Sequence, residues 1–150
     1  MVDVIVSEAS GKDLHIVLGL LCELGRPEPE NDSAVDTFKK LVTKYLKDSD
    51  KTILVARLDG TKIVGMVSIM FLERLNQSAL EMYIPELIVH EPYRGQGIGK
   101  KLIDSCIALA KDKNCHRIRL ESGNVRKESH RFYTTLGFDQ SALSFTKKLD

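Results

Sequence analysis

Apolar residues gather at Val2 to Val6 and then recur at Leu14, Val17, Leu18 and Leu21, at the spacing that lines one side of a helix. This pattern predicts a strand followed by a helix, which Gly25 and Pro27 end. A polar, proline-bearing stretch, RPEPEND, leads to a second helix, which Ser33 and Asp36 would start as an imperfect capping box and which runs to about Leu46. Two β-rich runs, Ile53 to Leu58 and Ile63 to Phe71, flank Asp59-Gly60, a dipeptide suited to a tight hairpin turn. A third run, from about Ala79 to His90, contains Pro85, which predicts a bulge or a break in pairing because proline has no N–H to donate. Leu102, Ile103, Cys106, Ile107 and Ala110 share a face of a helix from about Gly97 to Lys111, followed by a strand from His116 to Glu121. A short helix, Lys127 to Leu136, ends at Gly137, and a strand from Ala142 to Leu149 closes the chain. This order predicts an α/β (α+β) fold with a mixed, mostly antiparallel central sheet flanked by helices.

The 150 residues suit one domain, 1–150, because a chain of this size buries roughly 68–70% of its unfolded surface. With 43% hydrophobic and 29% charged residues, disorder is set aside. A formal charge of +1 gives no global basic field, so neither nucleic acid nor an acidic membrane is expected as a partner, and any anion site must be local. Cys22, Cys106 and Cys115 are an odd set without C-x-x-C spacing, which points to a reducing, cytoplasmic setting. The opening residues lack the apolar core of a signal peptide, and no run is long enough to span a bilayer. His15, His90, His116 and His130 show no H-x-x-x-H spacing, so no metal is expected.

The segment ELIVHEPYRGQGIGKKLI, residues 86 to 103, runs from a strand through a turn into Gly95, Gly97 and Gly99 and then into a helix. Glycines let the backbone approach a ligand, and the first helical turn offers unpaired N–H groups and a partial positive charge. A pyrophosphate suits this arrangement, with Arg94 and Lys100 nearby. A P-loop does not fit, since Arg94 stands where its first glycine belongs and Lys101 where Ser or Thr should be. A dinucleotide fingerprint would need glycine at Lys100, although Glu121 lies about 20 residues further on. A glycine turn that only starts a helix is the remaining alternative.

The run RGQGIG resembles the Arg/Gln-x-x-Gly-x-Gly/Ala loop of GNAT-type N-acetyltransferases, which bind acetyl-CoA. ELIV before it, Asn124, HRFY at 130 to 133 and Leu-Gly-Phe at 136 to 138 follow in that family's order. Within the family, Cys-Glu-Leu at the end of the first helix, Asn124-Val125-Arg126-Lys127 and Phe145-Thr146-Lys147 are similar to aminoalkylphosphonate N-acetyltransferases. The resemblance implies a GNAT fold that takes acetyl-CoA as cosubstrate and a small-molecule amine as acceptor. It implies that the backbone of Leu87, Ile88 and Val89 pairs with the pantetheine arm. Arg94, Gly95, Gln96, Gly97, Ile98, Gly99 and Lys100 would wrap the pyrophosphate, and Asn124 would hold the cofactor arm. Tyr133 matches the general acid that protonates the departing thiolate, and Val89 the amide donor to the developing oxyanion. The family often dimerises, and an exposed strand edge near the C-terminus would allow a homodimer, with the oligomeric state left open.

A lysine-like ammonium at neutral pH lies about 4.6 kcal/mol from its nucleophilic form, so a base is needed. Glu86 is the candidate, three residues before Val89 and just after Pro85, with Glu81 and Glu121 behind it. Arg126, Lys127 and Arg131 form a basic cluster able to meet a phosphonate. Cys106 and Cys22 read as core residues, so transfer is expected by direct attack in a ternary complex. Alternatives are a CoA-binding module without turnover, a protein N-acetyltransferase and a nicotinamide-dependent enzyme. The acceptor itself, an aminoalkylphosphonate or an amino sugar among others, is not specified by these residues.

Overall fold

A computed structural model describes residues 3–123 and 126–149, in two compact units, one ending at Arg119 and the other beginning at Leu120. The first unit carries β1 (Val4–Glu8), α1 (Leu14–Leu24), α2 (Asp32–Lys47), β2 (Lys51–Leu58), β3 (Lys62–Leu72), β4 (Glu81–Ile84), β5 (Leu87–Val89) and α3 (Ile98–Asp112). Strand β6 (Arg117–Leu120) ends it, and α4 (Lys127–Thr135) belongs to the second unit. The six strands form one sheet in the order β1-β2-β3-β4-β6, with β5 also on β3, and β1 to β5 pair antiparallel throughout.

Local backbone rules account for the hairpin. Asp59 and Gly60 both take positive φ, 51° and 77°, and Thr61 N–H donates to the Leu58 carbonyl at 3.1 Å, the turn whose twist suits two antiparallel strands. β2 and β3 are apolar along most of their length because both faces are covered. On one face, Val17 and Leu20 of α1 and Val42 of α2 pack with Ile53, Val55, Met66 and Ile88. On the other lies α3, whose Leu102, Ile103 and Cys106 are fully buried, each Leu or Ile contributing about 1.5–3 kcal/mol. Gly65 lets β5 come close, since a Cβ there would stand 3.1 Å from the Ile88 carbonyl oxygen.

The break expected at Pro85 is a one-residue bulge. Val67 and Met70, three steps apart on β3, face Leu87 and Tyr83, four steps apart on the opposing run.

Two expectations need correction. Helix α2 starts two residues earlier than Ser33 implies: Asn31 is the cap, its side chain accepting from Ala34 N–H at 2.9 Å, and Ser33 lies inside the helix. Residues 142 to 149 form no strand. Leu143, Phe145 and Leu149 are exposed there, and a run with strand-like composition becomes a strand only where another backbone completes its hydrogen bonds.

Candidate active site

The bulge changes what the strand offers to a ligand. Strand β4 has neighbours on both sides, β3 and β6, whereas β5 has only β3 among the described residues. Ser68 N–H donates to the Glu86 carbonyl at 2.9 Å and His90 N–H to the Val64 carbonyl at 2.8 Å, so even-numbered residues bond to β3. Leu87 and Val89 therefore direct their N–H groups to the open edge. The Val89 carbonyl there accepts from Arg94 Nε at 2.7 Å. An extended chain with its own amide groups fits this edge as an added strand.

Beyond β5 a short turn leads into the glycine loop. Gly95 and Gly97 have φ of 76° and 81°, and a Cβ at either would meet no atom within 4 Å. Glycine is required there by backbone conformation, not by crowding. Gly97 caps α3, a fifteen-residue helix with no side-chain cap, and Lys101 N–H is the donor to the Gly97 carbonyl at 3.1 Å. The amides of Ile98, Gly99 and Lys100 precede that first helical bond and so have no acceptor within the helix, the arrangement that suits an anion. Two cations of this stretch have carboxylate partners at the surface: Lys100 Nζ bonds Asp104 at 2.8 Å, and Arg94 Nη2 bonds Glu23 at 2.9 Å.

Glu86 sits at the bulge, partly buried. Ser68 Oγ donates to its Oε1 at 2.7 Å, Glu86 N–H donates back to Ser68 Oγ at 3.0 Å, and Arg26 Nη2 donates to Oε2 at 2.8 Å. Beneath them Tyr45 donates to the Ile69 carbonyl at 2.9 Å; burial, together with the Glu86 charge, pushes its phenol well above the usual range and keeps it neutral. Arg26 is half exposed and lies in the linker after α1, so the carboxylate is held from below by Ser68 and from outside by a displaceable cation.

Glu23, near the end of α1, clasps the loop. Its Oε1 meets His90 Nδ1 at 2.5 Å, and its Oε2 accepts from Glu91 N–H and Arg94 Nη2, both at 2.9 Å. Burial alone would raise this carboxyl, but the His90 hydrogen bond, the Glu91 amide and the Arg94 charge outweigh it and hold it below its ordinary value. Glu81, the alternative base, is fully buried beneath three arginines and is too well satisfied to accept a proton. Glu121, the other alternative, is exposed and accepts from Ser144 Oγ at 3.2 Å. Cys106 is buried in the core, its thiol pushed up to about 12 by burial, which removes it as a nucleophile.

The second unit holds Tyr133. Gly137, at φ 91°, ends α4 with Gly137 N–H on the Thr134 carbonyl and Phe138 N–H on the Tyr133 carbonyl, both at 3.0 Å. The Tyr133 ring packs edge-on against Phe132 and Phe138, with centroids 5.1 and 5.8 Å away, so the ring is fixed by packing. Lys127 and Arg131 are exposed on α4, and His130 Nε2 pairs with the Gly123 carbonyl at 2.8 Å. Asn124 lies outside the described residues.

Sequence reading missed Ser68, Arg26 and Tyr45. Ser68 left a signal, a lone hydroxyl inside the apolar run VGMVSIMF. Arg26 and Tyr45 left none, because their partners are far along the chain.

No helix among the described residues is long and apolar enough to cross a membrane. Residues 19–138 match the acetyltransferase (GNAT) family. The chain is 31% identical to the aminoalkylphosphonate N-acetyltransferase of Salmonella typhimurium, over 94% of this chain and 88% of that protein. Among solved structures, a putative acetyltransferase from Agrobacterium tumefaciens superposes with a TM-score of 0.85 at 25% identity, covering 97% of this chain and 99% of that one. A protein from Bacillus halodurans described as a transcriptional regulator superposes at 0.86 with 28% identity, covering 98% and 100%. With an open strand edge leading into a glycine nest and these similarities across nearly its whole length, the chain belongs to the GNAT acetyltransferase family and is an acetyltransferase.

Proposed function

We propose that this chain is an acetyl-CoA-dependent N-acetyltransferase that acts as a single domain in the cytoplasm. Its acceptor is the primary amine of a small molecule, an aminoalkylphosphonate or an amino sugar, which attacks directly in a ternary complex. The observation that carries this reading is the single-sided pairing of β5 beside the left-handed Gly95 and Gly97.

Acetyl-CoA supplies an acyl group already activated as a thioester. The Leu87 and Val89 amide edge would hold its pantetheine arm, and the amides from Gly95 to Lys100 its diphosphate. Glu86 takes the proton of the substrate ammonium, directly or through one water, once the ammonium displaces Arg26. Ser68 keeps the carboxylate aimed during that exchange. Val89 N–H faces the open edge and stabilises negative charge that develops on the acyl oxygen. Tyr133, whose ring is locked by its aromatic neighbours, gives its phenolic proton to the departing thiolate; this role rests on the resemblance of the HRFY segment to the family.

The test is thiol release from acetyl-CoA against a panel of amines that includes (aminomethyl)phosphonate and glucosamine 6-phosphate. Stoichiometric thiol and acetylated amine support the reading. Thermal protection by CoA with no product from any amine would leave a binding module instead.

A further inference from the structure

On the reading of this chain as an acetyl-CoA-dependent acetyltransferase, we propose that Glu23 is a positioning residue for the cosubstrate: from the end of α1 it clamps the connector between β5 and the glycine loop, and so holds the strand edge and the loop at the spacing that one thioester carrier bridges.

Glu23 Oε1 meets His90 Nδ1 at 2.5 Å, and Oε2 accepts from Glu91 N–H and from Arg94 Nη2, both at 2.9 Å. His90 directly follows the last residue of β5, and Arg94 directly precedes Gly95. One carboxylate therefore holds both ends of the connector. Arg94 carries the hold back to the strand, because its Nε donates to the Val89 carbonyl at 2.7 Å. Between these ends, Glu91–Tyr93 is a single turn of 3-10 helix, a geometry too short to keep its own shape.

The anchor is itself fixed. Val17 and Leu20 of α1 pack with Ile88 of β5 in the core, so the helix that carries Glu23 cannot slide along the strand without opening that cluster. Gly25, at φ 112°, closes α1, and Arg26 N–H donates to the Leu21 carbonyl at 3.0 Å. Arg26 in turn holds Glu86, the residue just before β5. The end of α1 thus brackets the strand, with Arg26 at its start and Glu23 at its exit.

Two effects of removing Glu23 oppose each other. The Arg94 charge is released, which favours an anionic ligand, but Arg94 is half exposed and such a pair is worth at most about a factor of five. The connector also loses its anchor and must be ordered by the ligand, and fixing the backbone of even one residue takes about 5–30-fold from the affinity. The connector runs over several residues, so the loss of order wins.

Calorimetry with CoA on the wild-type protein, Glu23→Gln and Glu23→Ala tests the assignment, beside kinetics with the best acceptor of the thiol-release panel. Glu23→Ala is expected to weaken CoA about tenfold and to raise KM for acetyl-CoA by a similar factor, while kcat and KM for the amine stay within about twofold. Glu23→Gln keeps an oxygen at the same reach for the Glu91 amide and Arg94, so it should recover part of the loss, and it carries the test if Glu23→Ala melts below the assay temperature. Tighter CoA binding in the variants would mean that Glu23 only occupies the Arg94 charge, and unchanged binding that the clamp sets no spacing; either overturns the proposal. A fall in kcat with KM for acetyl-CoA unmoved would also overturn it. CoA binding by wild type and variants alike leaves the acetyl-CoA reading standing, whereas no binding by the wild-type protein would sink that reading and the clamp together.

Discussion

Arg26 Nη2 donates to Glu86 Oε2 at 2.8 Å across sixty residues of chain, tying the linker after α1 to the bulge between β4 and β5. Half exposed, the arginine gains little from the pair, typically about 0–1 kcal/mol. In the proposed reaction it would hold the place that the substrate ammonium takes. Arg26→Gln should leave the melting temperature nearly unchanged and lower KM for the amine by up to about fivefold, the equivalent of about 1 kcal/mol. Steady-state kinetics beside a thermal melt reads both, and a raised KM would make Arg26 part of acceptor recognition.

Glu86→Gln keeps an oxygen for the Ser68 hydroxyl and cannot take a proton. The expected loss in kcat/KM is about 10²–10⁴-fold, largest at neutral pH and smaller as rising pH deprotonates the amine in solution. A profile that stays flat with pH would show that Glu86 only packs.

Tyr133→Phe retains the ring between Phe132 and Phe138 and the main-chain bonds that end α4. Stability should move by less than about 1 kcal/mol while kcat falls about 10²-fold. A pre-steady-state measurement that finds acetyl transfer unaffected would remove the acid role.

Gly97→Ala puts a side chain at φ 81°, which costs about 1–2 kcal/mol, with no clash to add to it. Relief of that strain moves the amides away from the diphosphate position. A thermal shift titration should therefore show reduced CoA protection, below the roughly 2.7 kcal/mol expected at 100 times Kd. Unchanged protection would place the diphosphate elsewhere.

Acid should weaken the fold through Glu23 and Glu81. Burial alone would raise both carboxyls, but His90 for Glu23, and Arg117 with Arg119 for Glu81, draw them below the ordinary 4.5. A depressed folded-state pKa contributes stability that is complete above the unfolded value and is lost as pH falls through the folded one, so the loss begins below about pH 4.5. Glu81→Gln should remove the Glu81 share at pH 7 and cost about 1.5–3 kcal/mol, the worth of hydrogen bonds to a charged group. Urea melts at pH 7 and pH 4 measure it.

What could be read in the sequence was what depends on a few adjacent residues. Asp59-Gly60 set its turn, Pro85 its bulge, and the alternating glycines their nest, because each is a constraint on φ or on a missing N–H. The boundaries of α3 followed from its apolar face. The last strand failed because Ala142 to Leu149 carries the composition of a strand, and composition says nothing of an available partner. The surroundings of Glu86 and Glu23 were illegible for a related reason. Ser68 lies 18 residues from Glu86, and Arg94 lies 71 from Glu23, distances that only the folded chain closes.

Pro85 is also a spacer with a parity. In an uninterrupted strand, Glu81 and Glu86, an odd number of positions apart, would look out of opposite sides of the ribbon; the added residue brings both to the same side. Excising Pro85 would take out the added residue and leave the two carboxylates four positions apart, an even number, so Glu86 would still face Ser68 from an unbroken ribbon. A deletion of one residue would smooth away the kink between β4 and β5, whereas an inserted residue would turn Glu86 to the opposite side, away from Ser68.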